Sequence, residues 1–142
     1  LKKYGKGNYE VTISTKSEIP EGKGLKSSSA ASNAITLAAL SALGIKINDL
    51  DIIKLAVNAS LKAGVTITGA FDDACASYFG GFVVTDNLNK KLLRKEPAPE
   101  NISVLIYIPK EQIFTKDFEK QKIMNISQNV SKAFDLSIKG KW

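Results

Sequence analysis

The sequence has no histidine, one cysteine (Cys75) and one arginine (Arg94). Each scarcity removes a class of chemistry. Without histidine there is no Ser-His-Asp triad, no Cys-His pair and no imidazole for a transition metal. A single cysteine forms no intrachain disulfide, and this usage fits a reducing cytoplasm. No run approaches the ~20 apolar residues of a membrane-spanning helix. Leu1-Lys2-Lys3-Tyr4-Gly5 lacks the apolar segment of a secretory signal. Asn125-Ile126-Ser127 is therefore read as a chance match to a glycosylation acceptor. Internal repeats and low-complexity stretches are absent as well. Acid–base chemistry is left to carboxylates, lysine and tyrosine.

What is present is enough for a core. The chain has 142 residues and is 44% hydrophobic, which suits one ordinary domain or parts of two and argues against disorder. The net charge of +6 comes almost wholly from lysines scattered among Asp and Glu. Nucleic-acid surfaces usually cluster arginine with exposed aromatics. The excess charge reads as solvated surface, with local positive potential useful to a nucleotide.

The stretch Pro20 to Ala31 stands out. Gly22 and Gly24 let the backbone take positive φ and approach a ligand. Ser27, Ser28 and Ser29 follow where an Ala-rich helical pattern begins, and that pattern runs to about Gly44. A glycine loop feeding a helix start aims backbone N–H groups and the positive dipole end at one spot, which suits a phosphate. A nearby hydroxyl can also hold Mg²⁺, and Lys23 and Lys26 add charge. The plainer reading is a turn followed by a serine N-cap. The four-residue gap and Gly-Lys-Ser/Thr ending of a Walker A loop are absent.

Around this loop the chain reads as follows. Leu1 to Gly7 is the tail of a helix and a turn. Asn8 to Ile19 alternates with period two, Tyr9, Val11 and Ile13 on one face, which predicts a strand closed by Pro20. A second helix opens at Asn48, with Asp49 and Asp51 in its first turn, an apolar stripe of Ile53, Ala56, Val57, Ser60 and Leu61, and Gly64 at its end. A turn at Gly69 leads to a short helix from about Phe71 to Phe79. Asp72 and Asp73 fall in its first turn, either as N-cap and dipole partner or as catalytic or metal-binding carboxylates. Cys75 reads as a small core residue. Phe82 to Thr85 and Lys91 to Lys95 predict a hairpin. Pro97 and Pro99 mark a candidate boundary. Ile102 to Ile108 reads as an apolar strand. From Lys116 onward, Ile123, Ile126, Val130, Ala133 and Phe134 make a helix face.

Gly22-Lys23-Gly24-Leu25-Lys26-Ser27-Ser28-Ser29-Ala30 resembles the central phosphate loop of the GHMP kinases (galactokinase, homoserine kinase, mevalonate kinase, phosphomevalonate kinase). Ser32-Asn33-Ala34, together with the run from Thr68 through Asp72-Asp73 to Gly80-Gly81, is similar to segments of one branch of that family, the archaeal shikimate kinases. The resemblance covers most of the chain in one order.

It implies an α+β fold: part of a ribosomal-protein-S5-like N-terminal domain over 1–97, then the start of a ferredoxin-like GHMP kinase C-terminal domain over 98–142. It also implies ATP-dependent transfer of phosphate to the 3-hydroxyl of shikimate, in the cytoplasm, as part of aromatic amino-acid biosynthesis. Gly22, Lys23, Gly24, Leu25, Lys26, Ser27, Ser28 and Ser29 would wrap the triphosphate. Ser28 and Asp72 would ligate Mg²⁺. Asp72 would take the substrate hydroxyl proton, with Asp73 sharing the metal or positioning the substrate. Thr66 and Thr68 would line the substrate side. The expected partners are ATP and this small alcohol, with no membrane.

Three features depart from the family pattern. Lys26 sits where many family loops carry Gly or Ser. No carboxylate lies between Asp51 and Asp72, where several relatives place a metal-binding glutamate. The family's N-terminal motif and C-terminal glycine-rich motif are missing, so a central fragment of a longer kinase is expected, one that need not be active alone. Two other readings are open: a GHMP kinase acting on homoserine or a mevalonate-type alcohol, and a non-catalytic S5-like module that binds RNA through its lysines.

Overall fold

The structure is a computed structural model, and it describes residues 7, 8, 10–108, 110 and 127–141. Three helices lie together and a hairpin packs against the third. They are α1 (Ser27–Ala42), α2 (Asp49–Lys62) and α3 (Phe71–Phe79), followed by β1 (Phe82–Asp86), β2 (Lys91–Glu96) and a last helix, α4 (Ser127–Ile138).

Helix α2 starts where its sequence says it must. The Asn48 side chain accepts a hydrogen bond from the Asp51 backbone N–H at 2.9 Å, and Asp49 and Asp51 sit at the positive dipole end. Four of the five predicted stripe residues, Ile53, Ala56, Val57 and Ser60, are buried, while Leu61 is exposed. The core is small and centres on α2 and α3: Ile53, Val57, Phe71, Ala74 and Cys75. Cys75 is fully buried, and burial, with the Asp72 charge as a lesser cause, pushes its thiol up to about 11. At neutral pH it is an inert core residue.

Polar contacts fix the helix pair on either side of this core. The hydroxyls of Ser32 on α1 and Ser60 on α2 lie 2.5 Å apart. The Tyr78 hydroxyl donates to Asp49 Oδ1 at 2.9 Å and ties α3 to the start of α2. Gly69 shows why the turn before α3 needs glycine. Its φ is +88°, and a Cβ there would meet Val57 Cγ1 at 2.9 Å.

The hairpin is antiparallel, pairing Phe82 with Glu96 and Asp86 with Lys91, with a bulge between Val84 and Thr85. Arg94 on β2 pairs with Glu96 and donates from Nη1 to the Ile138 carbonyl at 2.9 Å. A guanidinium thus meets the last carbonyls of α4, a favourable end for a cation.

Two strand predictions fail. Residues 10–18 and 102–108 form no ladder, and β1–β2 is the sole sheet among the described residues. Period-two patterning makes a strand only when a partner strand satisfies its backbone groups. No described segment pairs with either stretch, and Val11, Ile13, Val104 and Leu105 are exposed. The helix expected from Lys116 is seen from Ser127 onward. Its earlier part, and the helix tail expected at Leu1 to Gly7 apart from Gly7 itself, lie outside the described residues. No helix among the described residues is long and apolar enough to cross a membrane.

Candidate active site

The loop that feeds α1 uses positive φ three times: Gly22 at 65°, Gly24 at 75° and Lys26 at 58°. The two glycines do so without strain, but Lys26 carries a Cβ into the left-handed region. Lys26, not a serine, is the N-cap of α1. Among the described residues no side chain caps this helix, and its first turn holds no acid. Ser29 and Ala30 donate to the Lys26 carbonyl at 3.1 and 3.3 Å. Ser28 is exposed at this helix start, while Ser29 is buried. The contrast with α2 is chemical. Helix α2 brings its own anions and cap; α1 presents donors and a lysine.

The two adjacent aspartates of α3 go to different places. Asp73 turns toward the loop, its Oδ2 lying 3.1 Å from Lys26 Nζ. Asp72 turns toward the hairpin. Its backbone N–H donates to Asn87 Oδ1 at 3.0 Å, and Asn87 Nδ2 donates to Asp72 Oδ1 at 2.9 Å. The Thr85 hydroxyl donates to the same Asn87 oxygen at 2.7 Å. Ala70, at the N-cap position of α3, is left-handed and provides no side-chain cap. Asn87 supplies that cap from the neighbouring turn. Sequence reasoning missed Asn87, because nothing local marks a cap that comes from fifteen residues away.

Lys26 and Asp73 line one cleft of about 390 Å³ together with Ile19, Leu25, Ala30 and Ser77. A second cleft, about 320 Å³, runs between α1 and α2 past Ser28, Ser32, Ser60 and Val65, and its lining includes neither aspartate. Asn33, on α1 one turn beyond Ser29, is buried and donates from Nδ2 to the Ala74 carbonyl at 2.9 Å. It fastens α1 to α3 at the residue next to Asp73. Its Oδ1 is buried with no hydrogen-bond partner among the described residues.

The structure therefore brings Leu25, Lys26 and Asp73 to one cleft. It gives Asp72 to the hairpin. Thr66 and Thr68 are given to the turn before α3, where their hydroxyls accept from the Gly69 and Ala70 backbone at 3.2 and 3.4 Å. Neither threonine lines the cleft that holds Asp73. Among the described residues no group of three or more His, Cys, Asp or Glu side chains is placed to hold a metal.

A loop with positive φ, a helix start with no side-chain cap among the described residues, and a facing aspartate thus lie together. The family described as GHMP kinases N terminal domain matches residues 1–81, and the chain belongs to the GHMP kinase family. Among its relatives is the shikimate kinase of Pyrococcus furiosus, 45% identical over 142 residues, all of this chain and 52% of that protein. The shikimate kinase of Pyrococcus abyssi is 48% identical over 94% of this chain and 48% of its own length. That of Methanosarcina acetivorans is 49% identical over 94% of this chain and 45% of its own. The chain thus spans about half the length of the curated relatives it matches. No solved structure matches it.

Proposed function

We propose that the full-length protein transfers the γ-phosphate of ATP to the 3-hydroxyl of shikimate. The observation that carries this reading is the meeting of Lys26 and Asp73 across one cleft, 3.1 Å apart, at an uncapped helix start. The relatives named shikimate kinase supply the acceptor. Phosphoryl transfer asks a protein mainly for alignment and charge neutralisation. The loop from Gly22 to Ser29 holds the triphosphate, its amides and Lys26 facing the phosphate oxygens. Asp73 takes the proton of the attacking hydroxyl, the role the family resemblance implied for Asp72. Asp72 instead fixes the start of α3. On the acceptor side Ser77 and Ile19, which line the cleft, stand ahead of Thr66 and Thr68.

Mg²⁺ keeps several waters and takes one or two carboxylates plus phosphate oxygens. The candidate donors are the exposed Ser28 hydroxyl, which lines the second cleft, and the Asp73 carboxylate, which faces Lys26 in the first. They fit an ion that arrives with the nucleotide, not one caged by protein. Such an ion supplies neutralisation of charge on the β- and γ-oxygens.

The same reading divides the protein into an S5-like N-terminal part over 1–97 and the start of a ferredoxin-like domain over 98–142, and it places the activity in the cytoplasm. A coupled kinase assay on the full-length protein tests the proposal, using ATP and Mg²⁺ with shikimate, homoserine and mevalonate in turn. Turnover with shikimate alone is expected. Turnover with another of these alcohols would keep the ATP site and reassign the acceptor. No ATP binding and no turnover would overturn the kinase reading, and RNA affinity that falls steeply with salt would then favour the S5-like alternative.

A further inference from the structure

We propose that Lys26 is shared between two anions, so that one ammonium couples polyphosphate binding to the state of Asp73. The inference rests on the ATP-binding reading above but goes beyond it, because phosphate binding alone needs no link to the acid.

The backbone gives the first reason. Lys26 is left-handed, with φ 58° and ψ 34°, a conformation glycine adopts freely and lysine adopts under strain. Its carbonyl already accepts from Ser29 and Ala30, and any residue type provides that carbonyl. What lysine adds over glycine is the side chain, and that side chain reaches Asp73.

Mobility gives the second reason. The Lys26 side chain is 60% exposed and the Asp73 side chain 22%. A lysine ammonium is a point charge on a flexible stem. Asp73 sits on a helix pinned at its next residue by buried Asn33 and at its start by Asn87. When anions compete for the pair, Lys26 is the partner that moves. Its stem is rooted at the start of α1, beside the amides that face phosphate in the proposed site. A polyphosphate there draws the ammonium away from Asp73, and the carboxylate is released to meet the acceptor hydroxyl. Asp73 in turn weakens polyphosphate binding by holding the ammonium back.

The test is a double-mutant cycle on the full-length protein. ATP binding is measured by calorimetry at low salt with EDTA, so that metal ligation by Asp73 does not enter. Simple repulsion between Asp73 and ATP cancels in such a cycle, and competition for Lys26 does not. Asp73→Asn should tighten ATP. Lys26→Gly should weaken it about threefold in the wild-type background and about tenfold in the Asp73→Asn background. Thermal unfolding should show Lys26→Gly with Tm unchanged or raised, since glycine removes the backbone strain. Equal losses in the two backgrounds would overturn the coupling and leave the kinase reading standing. A lowered Tm for Lys26→Gly would also overturn it, by making the lysine structural. A wild-type protein that binds no ATP would remove both readings together.

Discussion

Asp73→Asn in the full-length protein should lower kcat by about a thousandfold while leaving Tm nearly unchanged. The neighbouring Asp72→Asn should keep kcat within about threefold of wild type, because its role is to complete a helix cap and not to meet the acceptor. The two side chains are adjacent in sequence and chemically identical, so only geometry separates them. Asp73 faces Lys26 and the loop; Asp72 exchanges two hydrogen bonds with Asn87. Asn87→Ala supplies the control. It removes the cap acceptor of α3 and should cost about 1–2 kcal/mol of stability, with only a small effect on kcat once the protein is folded. Loss of turnover in Asp72→Asn at unchanged Tm, with Asp73→Asn still active, would return the base role to Asp72.

Phe71→Ala should destabilise the protein by about 3–5 kcal/mol. Phe71 is 1% exposed and packs with Ile53, Val57, Ala74 and Cys75, which make up most of the small core. A loss of that size is a large share of the ~5–15 kcal/mol that holds a typical domain together. The consequence reaches the site, because Phe71 is the first residue of α3 and Asp73 stands two residues on. Urea unfolding should show a lower midpoint with an unchanged slope, as expected when stability and not compactness changes. A midpoint within experimental error of wild type would mean that α3 is held by its caps and not by its apolar face.

These two residues show where sequence was enough and where it was not. The helical stripe of α2 and its Asn48 cap are legible because period 3.6 and a local side-chain cap are written in neighbouring residues. The short helix from Phe71 and the hairpin after Gly80-Gly81 are legible for the same local reason. The strands expected at Asn8 to Ile19 and Ile102 to Ile108 depend on a partner that no local pattern reveals. At the site, the loop is legible through its glycines and serines and through its resemblance to the GHMP kinases. The serine N-cap is not what forms. Lys26 takes that position in a conformation that residue type argues against. The choice between Asp72 and Asp73 is illegible, because a helix turns adjacent residues by about 100° and tertiary neighbours decide which one meets the cleft. Asn87 and Lys26 decide it here, and both are distant from the pair in sequence.

In the proposed function the loop before α1 and the first turn of α3 form one nucleotide site. Hydrogen–deuterium exchange on the full-length protein, with and without ATP and Mg²⁺, tests it most directly. Saturating ATP should slow exchange at amides from Gly22 to Ala30 and, in the same titration, at the first turn of α3 around Asp73. Protection confined to other segments, with both of these stretches unchanged at saturation, would place the nucleotide elsewhere and rule out a site shared by this loop and α3.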